Sequence, residues 1–83
     1  MKLVELNCRI AMKLYPGRAL YRNGEVVSCC GKTIDYRKPN MIERLLHELG
    51  DVKIHVVKGY AEVNGSVGQT LSEAVALAYV NKQ

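Results

Sequence analysis

The side chains best suited to metal or redox chemistry are three cysteines and two histidines. Cys29 and Cys30 are neighbours, so the chain lacks the C-x-x-C spacing of thioredoxins and zinc ribbons. Cys8 is the third cysteine, and an odd number without a secretion signal predicts free thiols in a reducing compartment. We therefore expect neither a metal site nor a disulfide.

The two histidines do not suggest catalysis. His47 and His55 fall in different predicted elements, and neither an H-x-x-x-H nor a nucleophile-elbow motif accompanies them. We expect both side chains at the surface or its boundary, where histidine is common. The sequence thus predicts no catalytic residues and no cofactor, and we expect the chain not to be an enzyme.

A glycine-containing stretch, residues 65–70, leads into a predicted helix and is the one candidate phosphate cradle. It lacks the Lys-Ser/Thr of a P-loop and the third glycine of a dinucleotide fingerprint. Thr70 and Glu73 instead have the spacing of a capping box, which uses the same backbone donors. A turn followed by a helix cap is the favoured interpretation.

Positive charge is concentrated in the first half of the chain. Residues 1–38 contain eight basic and three acidic side chains, whereas residues 39–83 have a net charge of −1, so the total of +4 comes from the first half. Such a half predicts an anionic partner: a nucleic acid, a phosphate ligand or an acidic protein face. The alternative is a solvated surface that keeps the protein soluble.

A candidate binding surface follows from this charge. Arg18 and Arg22 lie on the same side of an expected strand, and their guanidinium groups suit phosphates or carboxylates. The basic connection over residues 31–39 extends this surface if it folds back beside the strand. The predicted partner-binding residues are Arg18, Tyr21, Arg22, Lys32, Tyr36, Arg37 and Lys38.

The elements that position these side chains begin with a predicted meander. Apolar and polar residues alternate over residues 4–14, which predicts a half-buried strand ending at Pro16-Gly17. Asn23-Gly24 separates two further expected strands, residues 18–22 and 25–30, and has the sequence of a type I′ hairpin turn.

A helix is predicted over residues 41–49, with Asn40 as its N-cap and Gly50 after its end. Its apolar stripe has the i, i+3, i+4, i+7 spacing of an amphipathic helix. The stripe consists of Ile42, Leu45, Leu46 and Leu49. We expect it to pack on the apolar face of the first strand.

The second half predicts strands over residues 52–57 and 60–63 and a helix over residues 71–81. This last helix is apolar nearly all round, so it needs a second apolar contact. Either an edge of the same domain or a second copy of the chain must supply it. The predicted self-association residues are Val75, Leu77, Tyr79 and Val80.

The predicted fold is a small single α+β domain over residues 1–83. A mainly antiparallel sheet has the order β-β-β-α-β-β-α, with both helices packed on one face. The composition, 48% hydrophobic and 24% charged, is that of a soluble globular domain, and no apolar run approaches a membrane span. We expect a cytoplasmic protein, or one in the host cytoplasm if the source is a virus.

Two functions remain open from the sequence. The first is a non-enzymatic protein-interaction domain that binds an acidic protein surface through its basic residues and forms a homodimer. Phage accessory proteins that inhibit host complexes are of this kind. The alternative is a module for single-stranded or structured RNA or DNA that uses the basic N-terminal meander, although five tyrosines without Phe or Trp offer few stacking rings.

Overall fold

The computed structural model describes residues 3–82 as three helices and two antiparallel three-stranded sheets. The elements are α1 (Leu3–Leu14), β1 (Tyr21–Asn23), β2 (Val26–Cys29), β3 (Lys32–Ile34), α2 (Pro39–Leu49), β4 (Ile54–Val57), β5 (Tyr60–Val63), β6 (Ser66–Gly68) and α3 (Leu71–Asn81). Sheet A contains β1, β2 and β3, and sheet B contains β4, β5 and β6. The predicted α+β class with antiparallel strands is confirmed, and its strands divide between two sheets.

The chain forms two compact units, the first ending at Asp35 and the second beginning at Tyr36. The first unit contains α1 and sheet A, and the second contains α2, sheet B and α3. The assignment of residues 1–83 to a single domain stays a prediction.

The strand predicted over residues 4–14 is wrong, because this segment is the helix α1. Asn7 and Ala11 are buried although strand alternation directs them outward, and Met12, expected inside, is 60% exposed. Leu6 and Ile10 are buried on one helical face with Asn7 and Ala11, which is the i, i+1, i+4, i+5 pattern of a helix. Since Leu, Met, Lys, Glu and Ala favour helices, and a strand this long is unusual, the helix prevails.

Sheet A covers α1 with the buried side of β2 and β3. Val27, Cys29 and Ile34 are buried on that side, and α1 contacts both strands. The buried Asn7 amide donates a hydrogen bond to the Glu25 carbonyl oxygen at 3.0 Å. This bond ties the helix to the first hairpin turn, because a buried amide without such an acceptor destabilises a fold.

The type I′ turn predicted at Asn23-Gly24 is wrong: the hairpin turn lies one residue later, and Glu25, its second central residue, lacks the positive φ of that type. Asn23 pairs with Val26, which leaves Gly24 and Glu25 as the central residues. Among the described residues, Cys30-Gly31 and Asn64-Gly65 are the turns whose two central residues both have the positive φ that type I′ requires.

The predicted second helix is confirmed as α2, with a different start. Pro39 occupies the first turn and Lys38 is the N-cap, so Asn40 lies inside the helix. The N–H of Gly50, with φ +74°, donates to the carbonyls of Leu46 and His47, as expected of a helix-ending glycine. The buried side chains of α2 are Met41, Leu45 and Leu49, whereas Ile42 and Leu46 of the predicted stripe are half-buried. The helix packs on α3 and not on a first strand, since residues 3–14 form α1.

The last helix, α3, is confirmed with its cap. The Thr70 hydroxyl accepts a hydrogen bond from the Glu73 N–H at 3.2 Å, as a capping box requires. One side of α3 contacts β5 and β6 and another side contacts α2, so the second apolar contact comes from the same unit. The prediction that both helices pack on one sheet face is therefore wrong, since α3 lies on sheet B and α2 lies on α3.

Candidate interaction surfaces

The structure places the residues of the predicted basic surface on several elements, in both units. Arg22 on β1 pairs with Val27, and Lys32 on β3 pairs with Cys29, so both cations lie on the side of sheet A that packs on α1. Both side chains remain exposed because they occupy the outer strands. Arg18 is also exposed, but it lies in the connection before β1 and not in the strand that was expected to align it with Arg22.

Tyr15 contacts one of these cations, Lys32. The Lys32 Nζ lies 5.8 Å from the centre of the Tyr15 ring, within the range of a cation–π contact. The Arg18 backbone N–H donates to the Tyr15 carbonyl at 3.3 Å. The Tyr15 ring, which sequence reasoning did not select, thus contacts the Lys32 ammonium, and Arg18 is joined to Tyr15 through its backbone N–H.

The predicted aromatic residues differ in accessibility. Tyr21 is 67% exposed on the opposite face of sheet A from Arg22. Tyr36 is only 7% exposed, so the prediction that its ring contacts a partner is wrong for this structure. Arg37 and Lys38 are exposed at the start of α2, in the second unit.

The neighbouring thiols form a pair with unequal exposure. Their Sγ atoms are 3.7 Å apart; Cys29 is buried and Cys30 is exposed. Burial is the main cause that raises the pKa of the Cys29 thiol, and the hydrogen bond with Cys30 raises it further. The Arg18 guanidinium acts in the opposite direction. In residues 3–82 no group of three or more His, Cys, Asp or Glu could hold a metal ion.

We expect thiol titration of the denatured protein, without reductant, to find three free thiols, as the structure shows. In the folded protein, mild alkylation should modify Cys30 first, because burial and a raised pKa keep the Cys29 thiolate scarce. Peptide mapping by mass spectrometry measures both rates. Equal rates at Cys29 and Cys30, or a Cys8–Cys29 disulfide, would contradict this prediction.

The predicted self-association residues lie mostly inside the second unit. Val75 and Tyr79 are buried, whereas Leu77 and Val80 are half-buried. Burial is also the main cause that raises the pKa of the Tyr79 hydroxyl, and the Glu48 carboxylate raises it further. Self-association stays a prediction. Of the four residues predicted for it, Leu77 and Val80 are the two whose side chains a second copy could contact.

Sheet B carries an apolar surface that sequence reasoning missed. Ile54 and Val56 on β4 are 48% and 64% exposed, although their partners Val63 and Ala61 on β5 are buried on the same face. The alternation of β4 predicted burial on one face. The alternation did not show that β4 is an outer strand. Lys53 and Lys58, at the two ends of this short strand, were the sequence signal that could have indicated it.

The other face of sheet B is mixed. Tyr60 and Val67 are 43% and 53% exposed there, with His55 and Glu62 paired between them. His47 is exposed as well, so both histidines lie at the surface as expected. This face offers scattered apolar side chains and no continuous apolar strip.

A small groove of about 230 Å³ lies at the C-terminal end of α3. Leu49, Asn64, Ser66 and Ala78 are among the residues that line it, and the Lys82 ammonium donates to the Glu48 carbonyl at 2.8 Å beside it. The groove is smaller than typical ligand sites, so the exposed strand surfaces are the stronger candidates.

Comparison with protein-family models, curated proteins and solved structures finds no match for this chain. No helix within residues 3–82 has the length and apolar character needed to cross a membrane.

Proposed function

We propose that this chain is a small, non-enzymatic protein-interaction domain of the accessory or inhibitor type, with an acidic protein as its partner. The observation that carries the proposal is the exposure of Ile54 and Val56 beside the buried Ala61 and Val63. Protein interfaces combine an apolar centre with a polar rim, and exposed apolar surface that continues a core marks such sites.

The exposed cations of the first unit support an acidic partner. Arg18, Arg22 and Lys32 are exposed, and complementary charge accelerates association and selects the partner. The cytoplasm of the cell, or of an infected host, is the proposed location.

A second function, nucleic-acid binding, is favoured by one observation. Tyr21 is 67% exposed on sheet A, and Arg22, the next residue of the same strand, carries a positive charge on the opposite face. Antiparallel sheets bind single strands by stacking bases on exposed aromatic rings beside basic residues. Since Tyr36 is buried, only one of the two predicted rings on this surface is accessible.

Affinity capture from lysate, with and without nuclease, separates the two functions. A protein partner that persists after nuclease treatment supports the first proposal. Recovery that depends on intact nucleic acid contradicts it and supports the alternative.

Replacing Arg18 and Arg22 together by glutamate is expected to weaken binding of the acidic partner by about tenfold or more. The Tm should stay unchanged, because exposed charges contribute only about 0–1 kcal/mol to stability. Arg9→Glu, an exposed position on α1 outside this surface, is the control. Normal binding by the double variant would show that these arginines only aid solubility.

Salt dependence of the wild-type affinity gives an independent check. Nucleic-acid binding releases counterions and weakens steeply between low and physiological salt. A protein interface with an apolar centre and a charged rim loses affinity less steeply, because salt screens its charges and leaves its apolar contacts in place. A steep salt slope would therefore argue against the proposed protein partner.

A further inference from the structure

The backbone of β4 has a free outer edge. Among residues 3–82, β5 is the one strand that pairs with β4. The Lys53 N–H donates to the Asn64 side-chain oxygen at 2.8 Å, and its carbonyl accepts the Asn64 N–H at 3.0 Å, so Lys53 is bonded towards the β5 side. Backbone groups alternate in direction along an antiparallel strand. Ile54 and Val56 therefore direct their N–H and C=O groups away from β5.

The same two residues carry the exposed apolar side chains. Ile54 and Val56 project on the face that Val63 and Ala61 share with the core, and α3 leaves them 48% and 64% exposed. A strand added to β4 would satisfy their backbone groups and place its own alternate side chains beside them. One extended segment thus meets both the hydrogen-bonding and the apolar requirements of this edge.

The charges around β4 select the occupant. Residues 52–59 contain Lys53, His55 and Lys58; the nearby acidic residues are Asp51, before the strand, and Glu62 on β5, which pairs with His55 and leaves the two lysines as the cations at the ends of β4. A second copy paired antiparallel, with Ile54 opposite Val56 of the other copy, would place His55 opposite His55, and at each end Lys53 of one copy would lie one register position from Lys58 of the other, on the opposite face of the sheet. Like charges on paired strands repel, and edge lysines are a common defence against self-pairing. A segment with carboxylates at its ends has the complementary charge.

The opposite edge of sheet B is a weaker candidate. β6 has three residues. Ser66 follows the turn and Gly68 lies two residues later, so the backbone groups of both point towards β5. Val67 is the one residue of β6 whose backbone N–H and C=O point away from β5. The Ser66 hydroxyl also accepts a hydrogen bond from the Asn81 amide at 3.4 Å. Val67 therefore provides a matched control position.

We propose that the outer edge of β4 binds an extended segment of the partner protein by strand addition, the segment having small apolar side chains at alternate positions and carboxylates at its ends. This inference rests on the proposed protein-interaction function and names the partner segment that sheet B recognises. Hydrogen bonds to Ile54 and Val56 provide the pairing, their side chains contact the apolar residues, and Lys53 and Lys58 attract the carboxylates.

A synthetic peptide tests the inference on the full chain. The probe is a fluorescent, end-blocked peptide of alternating valine and threonine with a glutamate at each end. Anisotropy should show saturable binding, and a peptide with lysine in place of both glutamates should bind at least about tenfold more weakly. Amide hydrogen exchange at Ile54 and Val56 should slow when the peptide binds. Equal binding of both peptides, or no slowing, would overturn the proposal.

Two proline variants test the strand pairing. Val56→Pro removes an outward N–H of β4 and should weaken peptide binding at least about tenfold, whereas Val67→Pro removes the equivalent N–H of β6 and should bind like wild type. Both prolines replace groups that do not pair with β5, so the Tm of the two variants should be similar. Val56→Glu keeps the N–H and repels the acidic peptide, and it provides a second test if Val56→Pro does not fold.

The remaining outcomes are distinct. Equal weakening by Val56→Pro and Val67→Pro would overturn the assignment to β4. A wild-type dimer that Val56→Pro dissociates, without peptide binding, would show that a second copy occupies the edge. A protein partner that is still captured from lysate by Val56→Pro would overturn this inference and leave the proposed function standing.

Discussion

Replacing Gly68 by valine is expected to destabilise the protein by about 3 kcal/mol or more, because the helix α3 lies directly on this glycine. A Cβ at Gly68 would come within 2.6 Å of the Ala74 backbone nitrogen and 3.0 Å of the Glu73 carbonyl carbon. These are backbone atoms at the start of a helix, so no side-chain rotation can relieve the clash. The N-terminal turn of α3 must therefore move away from β6.

Urea unfolding followed by circular dichroism measures this loss. Gly68→Ala should show a smaller loss of the same kind, about 1–3 kcal/mol, since it adds one methyl group at the same place. Val67→Ala is the control, because Val67 is 53% exposed and adjacent in the same strand. An unchanged unfolding midpoint for Gly68→Val would show that α3 does not rest on β6.

Replacing Leu45 by alanine is expected to cost about 2–5 kcal/mol, because its side chain is fully buried and the change leaves a cavity. Leu46→Ala should cost clearly less, about 1–2 kcal/mol, since Leu46 is half-buried and solvent already covers part of it. The two leucines are neighbours in α2, so helix propensity changes equally in both variants.

The comparison of these two variants checks the orientation of α2. Thermal unfolding should place the Tm of Leu45→Ala well below that of Leu46→Ala. The reverse order would mean that α2 is rotated and that its buried stripe passes through Leu46. Equal and negligible losses would mean that α2 does not pack on α3.

The helices α2 and α3 were predictable because their signals are local. In α3, the Thr70 hydroxyl satisfies the backbone N–H of Glu73 within one turn, at 3.2 Å. Gly50 ends α2 for an equally local reason, since it adopts a positive φ of 74°. Such features depend on a few neighbouring residues, so they form independently of how the rest of the chain packs.

The first helix was not predictable from the same kind of pattern. Residues 4–14 satisfy strand alternation and helical spacing at once, and the alternation outweighed the helix propensity and the unusual strand length that favour a helix. Sheet A offers a buried face built from Val27, Cys29 and Ile34, and α1 covers it with Leu6 and Ile10. A long strand in place of α1 would leave that face without a helix to cover it.

The candidate binding surfaces divide in a similar way. The sequence showed that Arg18, Arg22 and Lys32 would be exposed, because isolated cations in a small domain lie in water. It did not show that Tyr36 is buried, since a tyrosine suits either environment. It also did not show that Ile54 and Val56 lack a cover, since the same alternation occurs in central and outer strands.

The sequence by itself thus determined the α+β class, the capped helices α2 and α3 and the hairpin-rich strands between them. These follow from hydrogen bonds and backbone preferences within a few residues. Tertiary structure decided that the strands divide into two sheets and that the apolar side chains of β4 stay uncovered, and the packing of α1 on sheet A accompanies the helix propensity of residues 3–14. The physical reason is that burial depends on which distant surfaces pack together, and the residues next to a position in the chain do not specify those long-range contacts.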